Sequence, residues 1–124
     1  MDERKEALRR RTKAFASAVV RFYISLDKGR EELRILGKQL LRSGTSVAAN
    51  YREASRARSE AEFIAKIDQC AQEADESQLW LELLRDDCHI NSEPVFWLIQ
   101  EAVELIAIFV TMSKNVKQRL GKQG

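Results

Sequence analysis

The chain has 124 residues, of which 44% are hydrophobic and 32% charged, and its formal net charge at pH 7 is +2. This length fits one domain with a real hydrophobic core, so we predict a single domain over residues 1–124. Cys70, Cys88 and the single histidine, His89, are too few for a zinc site or a dense disulfide framework. We therefore predict reduced thiols, no metal and no cofactor, and the small net charge argues against a dedicated nucleic-acid-binding domain.

Hydropathy along the chain bears on location. The longest uninterrupted apolar runs, such as residues 106–110, are far shorter than the ~20 residues that span a membrane. The start of the chain also lacks the pattern of a cleaved signal segment. We therefore expect a soluble, cytoplasmic protein with no membrane partner.

Charge is unevenly distributed along the chain. Residues 1–58 carry 15 Lys/Arg against 7 Asp/Glu, residues 59–112 carry 2 against 12, and residues 113–124 carry 4 against none. This asymmetry predicts either an acidic partner for the basic half, such as nucleic acid, or basic helices that lie beside acidic helices of the same chain or of a neighbouring subunit. The small net charge favours the internal arrangement and leaves the other open.

The first half of the chain predicts two helices. Proline occurs once, at Pro94, and glycine five times, so sheet turns are nearly absent and we predict an all-α chain. Apolar or small side chains recur at alternating four- and three-residue steps over about residues 3–26, which predicts the first helix. A break at residues 27–29 follows, and the second helix is predicted over about 29–57, with Asp27 as its N-cap.

The second half predicts two more helices. Ser59 and Glu62 form a capping-box pattern that begins a third helix, over about residues 60–89. A fourth helix is predicted over about residues 93–120, and a proline is tolerated in its first turn because first-turn amides lack an intrahelical acceptor. Long helices joined by short turns lie antiparallel, so the sequence predicts an up-down-up-down four-helix bundle.

The apolar face of the fourth predicted helix is wider than one bundle seam, and several other apolar residues also lie beside the seams. Apolar surface outside a bundle core often marks a protein–protein interface, so we predict a homo-oligomer. The candidate interface residues are Trp80, Leu83, Trp97, Ile99, Ile106 and Val110.

The second predicted helix carries an unusual run of small residues. Gly37 and Gly44 each cost about 1 kcal/mol of helix propensity relative to alanine, which indicates a compensating interaction. We favour close approach of another helix or of an aromatic side chain over a kink or a ligand pocket. Around this run lie the polar residues Gln39, Arg42, Asn50 and Glu53.

These polar residues are best explained as a network that sets helix register. A catalytic interpretation would need two carboxylates facing one cleft, such as Glu53 with Glu73 or Glu76. Asp86 and Asp87 flank Cys88 and disfavour an activated thiol. His89 is predicted near a helix C-terminus, where an imidazolium suits the helix dipole. We therefore predict no catalytic residues and no enzymatic activity.

Arginine and lysine recur at four-residue intervals on the second predicted helix and form what we call the basic ridge, residues 30, 34, 38 and 42. Positive charge continues toward the end of that helix, and residues 4–13 hold a second cluster. Such surfaces neutralise phosphates, although carboxylates elsewhere in the chain are alternative partners. The candidate nucleic-acid contacts are Arg30, Arg34, Lys38, Arg42, Arg52 and Arg56.

The pattern QLxRSxxSVxxNYxEA over residues 39–54 is followed by RSxxEF at 58–63, EAxES at 73–77 and WLELL at 80–84. Together these segments resemble the bacterial four-helix bundle family named for proteins encoded within intervening sequences of 23S ribosomal RNA genes. The resemblance implies an up-and-down protomer that assembles into a ring-shaped homo-oligomer, a homopentamer, and it implies no active site. A distantly similar pentameric bundle, the accessory protein of diversity-generating retroelements, binds nucleic acid through basic surfaces, which supports a nucleic-acid partner by analogy.

Two functions are compatible with these observations. The leading hypothesis is a non-enzymatic oligomeric scaffold or accessory protein that contacts RNA, or an RNA-processing partner, through basic helix surfaces. The alternative is a purely structural or protein-interaction module whose charge is neutralised internally and which binds no nucleic acid. The two differ in whether the basic residues are free or paired.

Overall fold

The computed structural model describes residues 2–123, with side chains through residue 121. Within these residues every regular element is an α-helix, so the predicted all-α class is confirmed. The helices are α1 (Glu3–Ser25), α2 (Glu31–Ser55), α3 (Glu60–Asp86) and α4 (Glu93–Gln123). Their order and number agree with the sequence pattern, and their ends differ from it by up to three residues.

Local capping explains where the helices begin. Asp2 accepts a hydrogen bond from the Arg4 amide at 2.7 Å and caps α1. Ser59 accepts from the Glu62 amide at 3.0 Å, as the capping-box pattern predicts for α3. The prediction that Asp27 caps α2 is wrong, because its Oδ1 accepts from the Gly29 amide at 2.9 Å inside the preceding turn. That turn delays the start of α2 to residue 31.

Contacts between successive helices join the late part of one helix to the early part of its neighbour. The Tyr51 hydroxyl donates to the Lys5 carbonyl at 3.4 Å, which places the end of α2 beside the start of α1. Cys70 on α3 lies 3.7 Å from the Val47 carbonyl on α2, and Lys117 on α4 lies 3.2 Å from Asp68 on α3. The four helices are therefore packed antiparallel.

The core consists of the seam positions that the periodicity predicts. Each buried Val, Leu or Phe contributes roughly 1.5–3 kcal/mol relative to an exposed one. The largest fully buried side chains are Tyr51, Phe15, Phe109, Leu33, Leu40, Ile67, Leu81, Leu84, Leu98, Leu105, Val19 and Val47. All four helices contribute to this list, so one continuous core holds the chain together.

The α1–α4 seam is the least closely packed of the four seams. A single arginine bridges it: Arg11 donates from Nε and Nη2 to both carboxylate oxygens of Glu101, at 2.9 and 2.7 Å. Its Nη2 also donates to Glu104 at 2.9 Å. The hydrogen bond with Glu101 raises the pKa of Arg11, so the bridge stays charged.

The composition of α4 changes one step in the prediction that no segment spans a membrane. Residues 93–121 are long and apolar enough to cross a membrane, although no uninterrupted apolar run within them reaches that length. The segment also carries Glu101 and Glu104, whose charges are held by Arg11. Core helices of soluble proteins meet the same criterion, and what distinguishes α4 is an apolar surface that the protomer leaves uncovered.

Candidate functional site

The small residues of α2 are packing contacts. A Cβ atom on Gly44 would lie 2.8 Å from Val19 Cγ2, and one on Gly37 would lie 2.9 Å from Leu26 Cδ1 and 3.1 Å from Tyr23 Cδ1. Real Cβ atoms essentially never approach this closely. The interpretation that another helix approaches here is therefore confirmed, and α1 is that helix.

Two of the four polar residues around this run, Arg42 and Glu53, form ion pairs between α2 and α3. Arg42 donates to Glu73 and to Glu76, at 3.2 Å in each case. Glu53 lies 2.6 Å from Lys66. Burial raises the pKa of Glu73 although Arg42 is close. These carboxylates are thus engaged by two different cations.

A buried serine pair was missed by sequence reasoning. Ser43 and Ser77 are fully buried, and their hydroxyl oxygens lie 2.8 Å apart across the α2–α3 seam. Each hydroxyl also lies within hydrogen-bond distance of a carbonyl of its own helix, Ser43 of Leu40 at 3.3 Å and Ser77 of Glu73 at 2.8 Å. Both residues occupy seam-like positions in the sequence, but their pairing depends on the register of the two helices.

The basic ridge is largely neutralised within the protomer. Arg30 donates to Glu32 at 2.8 Å and to the Cys88 carbonyl at 3.3 Å. Arg34 lies 3.4 Å from Glu31. Together with Arg42, three of the six candidate nucleic-acid contacts are therefore paired, and among residues 2–121 no carboxylate lies within 4.0 Å of Lys38, Arg52 or Arg56.

Unpaired cations gather at the end of the bundle where α1 begins and α2 finishes, and we call this surface the basic end. It comprises Arg4, Lys5 and Arg9 of α1 together with Arg52, Arg56 and Arg58 from the last turn of α2 and the turn after it. None of the six has a carboxylate partner within 4.0 Å in the described part of the chain. Arg52 and Arg56 belong to the predicted contacts, whereas the other four do not.

Several carboxylates near the basic end are engaged by other groups, whereas Glu3, in the first turn of α1, has no cation within 4.0 Å among the described residues. Asp2 caps α1, and Glu6 lies 3.7 Å from Arg10. Glu53 pairs with Lys66, and Glu62 accepts from the backbone amide of Arg58 at 3.1 Å. Six unpaired cations outnumber these nearby carboxylates, and an external polyanion would stabilise the excess of positive charge.

The candidate interface residues lie on different sides of the bundle. Val110 is 52% exposed, while Ile99 and Ile106 are half-buried on the same side of α4. Trp97 lies seven residues before Glu104, so it is on the side that faces α1. The structure brings the first three together and separates Trp97 from them.

Trp80 and Leu83 lie on a third side. They follow Glu73 and Glu76 by seven residues, and those two glutamates face α2 through Arg42. Both Trp80 and Leu83 are half-buried, and the Trp80 indole N–H is buried with no partner among the described residues. The six predicted interface residues therefore lie on three different sides of the bundle.

Four exposed apolar side chains share one side of the α3–α4 pair, which we call the α3–α4 apolar face. Phe96, Val103 and Val110 are 49%, 41% and 52% exposed and recur every seven residues. Leu79, 47% exposed, lies on the side of α3 that carries Asp68, which pairs with Lys117 of α4. The heptad spacing of 96, 103 and 110 was the signal in the sequence.

Both cysteine thiols are buried, which disfavours their ionised form. Cys70 and Cys88 are buried and free, and burial raises the pKa of Cys70 to about 12. Burial also raises the pKa of Cys88, so neither is an activated nucleophile at neutral pH. Among the described residues no cluster of three or more His, Cys, Asp or Glu side chains is arranged to hold a metal.

The fold and these surfaces define a small four-helix protein whose distinctive features are a basic end and an apolar face. A model of the 23S rRNA-intervening sequence protein family matches residues 5–111, so the chain belongs to this family. The crystal structure of a protein of unknown function from the S23 ribosomal protein family of Bacteroides thetaiotaomicron is similar, with 34% identity and a TM-score of 0.78. That match covers 86% of this chain and 97% of the other. A comparison with curated proteins found no match.

Proposed function

We propose that this protein is a non-enzymatic oligomeric scaffold or accessory protein of the cytoplasm that contacts RNA through its basic end. The observation that carries the proposal is the set of six cations that gather there without carboxylate partners. Phosphates neutralise such charges and release counterions, which favours a polyanionic partner. RNA is the polyanion to which the family name points.

The basic end replaces the basic ridge as the centre of the proposed contact. An arginine held by two carboxylates, as Arg42 is by Glu73 and Glu76, must lose those bonds before it can bind a phosphate. Arg52, Arg56 and Arg58 have no such bonds to lose. The proposed binding is sequence-independent, because the surface consists of flexible cations and not of a preformed base-reading element.

The α3–α4 apolar face supports the oligomeric part of the proposal. Phe96 and Val110 are fourteen residues apart, or roughly 21 Å along a helix that rises 1.5 Å per residue, so the stripe is long enough to pack against a helix of a second copy. A ring of copies, a homopentamer, would cover this face and multiply the basic ends. Several weak RNA contacts on one assembly would then act together.

RNA binding is tested by fluorescence anisotropy of a labelled RNA hairpin with single-stranded flanks, titrated with the protein between about 50 and 200 mM salt. In a variant with Arg52→Gln, Arg56→Gln and Arg58→Gln, we expect affinity to fall about tenfold or more. The slope of log Kd against log salt should fall by about 2, since each lost phosphate contact removes roughly 0.7–0.9.

The matched control carries Arg30→Gln, Arg34→Gln and Arg42→Gln, which remove the same charge from the paired arginines of α2. It should retain most of the affinity, and melting curves followed by circular dichroism should show that both variants are folded. Equal losses in the two variants would assign the effect to net charge alone. If the wild type does not bind RNA at low salt, the alternative function, a protein-interaction module that binds no nucleic acid, is the better explanation. The ion pairs of the basic ridge favour that alternative.

A further inference from the structure

A cavity of about 880 Å³ opens at the end of the bundle where the first turns of α1, the α2–α3 turn and the last turns of α4 meet. Both α1 and α4 line it, and they are the adjacent helices that pack least closely. Sites for small ligands have volumes of roughly 300–1,000 Å³, and they often lie between the helices of a bundle. The cavity therefore has the size of a binding site.

The floor of the cavity is apolar. It is made by half-buried side chains of three helices: Leu8, Phe63, Ile108, Met112 and Val116. Tyr51 also lines the cavity, but its hydroxyl donates to the Lys5 carbonyl and its side chain is 98% buried. A ligand body that rests on this floor finds few hydrogen-bonding partners, so it should be apolar.

The rim of the cavity is cationic. Arg4, Lys5 and Arg58 line it without a carboxylate within 4.0 Å in the described part of the chain. The two acids of the lining are engaged, since Asp2 accepts from the Arg4 amide and Glu60 pairs with Arg119. The free charge at the mouth of the cavity is therefore positive.

We propose that this cavity binds a small amphipathic anion, namely a carboxylate at the cationic rim whose unbranched alkyl body lies on the apolar floor. The apolar floor disfavours an extruded RNA base, whose polar edges need hydrogen-bond partners. Charge complementarity at the rim disfavours a neutral or cationic amphiphile. This inference does not depend on RNA binding and would stand if the proposed function failed.

The test is isothermal titration calorimetry of the full chain with decanoate below its micellar concentration. Decanol has the same apolar body without the charge, and decyltrimethylammonium has the opposite charge. We expect decanoate to bind at one site per chain at least about tenfold more tightly than decanol. Affinity should rise about three- to fourfold per methylene from octanoate to decanoate, the factor expected from burying a CH₂ group.

Two variants separate the parts of the site. Lys5→Gln with Arg58→Gln should weaken decanoate binding about tenfold and leave decanol binding unchanged. Val116→Gln on the floor should weaken both. Arg21→Gln with Lys38→Gln is the matched control, because these two cations are exposed, without carboxylate partners among residues 2–121, and outside the cavity.

Three results would overturn the proposal. Equal affinities for decanoate and decanol would remove the role of the rim, and equal losses in the rim and control variants would show a non-local charge effect. Uptake that does not saturate near one decanoate per chain would indicate detergent-like partitioning. A tenfold loss of decanoate affinity in the rim variant but not in the Arg21→Gln with Lys38→Gln control, with the melting temperature preserved, supports the site.

Discussion

His89 has a backbone conformation that a histidine rarely adopts. Its φ is 60°, in the left-handed region, and the Ile90 amide just after it donates to the Leu84 carbonyl at 3.0 Å. This bond spans six residues, one more than the 6→1 bond of a Schellman motif, but it likewise closes the helix end after a residue in the left-handed region, where glycine is the usual choice. Sequence reasoning assigned His89 a role through charge, and it missed the backbone role because neither Gly nor Asn marks the position.

The conformation of His89 gives the first stability prediction. A left-handed residue with a Cβ atom costs roughly 1–2 kcal/mol, and glycine avoids that cost at the expense of some entropy in the unfolded chain. We therefore expect His89→Gly to raise the free energy of unfolding by about 0.5–1 kcal/mol, measured by urea denaturation. His89→Ala retains the Cβ atom and should give no gain; an equal gain from alanine would show that the side chain, and not the backbone, is responsible.

At the scale of helices, α1 and α2 approach each other through the missing side chain of Gly44. Val19 is fully buried against it, and β-branched side chains have little rotameric freedom to move away. The small-residue run of α2 could be interpreted from the sequence as a close contact. Which helix makes the contact could not, because α1 and α3 both flank α2 and the choice depends on how the small residues are rotated about the axis of α2.

The Gly44 contact predicts that Gly44→Ala destabilises the protein even though alanine is the better helix former. Overpacking a well-packed core costs about 1–3 kcal/mol, against a propensity gain of about 1 kcal/mol. With a typical overpacking cost of about 2 kcal/mol, the expected net loss in urea denaturation is about 1 kcal/mol. Gly121→Ala is the matched control, because a Cβ atom there would meet nothing within 4 Å, and it should cause no loss.

A double variant tests the mechanism of that loss. Val19→Ala removes the methyl groups that a Cβ atom on Gly44 would contact, so combining it with Gly44→Ala should cost less than the sum of the two single losses. Strict additivity of the two losses, or a Gly44→Ala variant as stable as the wild type, would contradict the close-packing explanation.

Across the whole molecule, much of the charge asymmetry is compensated inside the protomer. Basic α2 pairs with acidic α3 through Arg42, and basic α1 pairs with acidic α4 through Arg11. The positive tail of α4 pairs with α3 through Lys117 and Arg119. The prediction that basic helices lie beside acidic helices of the same chain is therefore confirmed for these residues. The cations of the basic end remain outside these pairs.

Features of the fold that depend on local sequence could be predicted, whereas those that depend on how distant helices pack could not. Helix number and seam positions depend on local periodicity, so they could be predicted from the sequence. The division of cations into paired and free depends on the antiparallel register, as when Glu73 and Glu76 reach the same arginine across the α2–α3 seam. The cavity is lined by α1 and α4, the adjacent helices that pack least closely, and no local pattern records how closely two distant helices pack.

Self-association is the prediction that belongs to the whole molecule. If the α3–α4 apolar face packs against a second copy, light scattering should report a molar mass that is a multiple of the 14.3 kDa protomer. Val103→Glu with Val110→Glu would bury carboxylates in that interface, and an unpaired buried charge is strongly unfavourable. In the isolated protomer both positions are exposed, so the same changes should cost little. We expect this variant to remain folded and to have the mass of one chain.

Ile24→Glu with Ile35→Glu is the matched control, since these isoleucines are 68% and 48% exposed on α1 and α2, away from the α3–α4 apolar face. It should keep the mass of the wild-type assembly. A wild-type mass of one chain would show that the α3–α4 apolar face binds some other partner. If that single chain then floats with lipid vesicles, the partner is a membrane. Dissociation by both variants would show that the assembly uses the α1–α2 side of the bundle as well as this face.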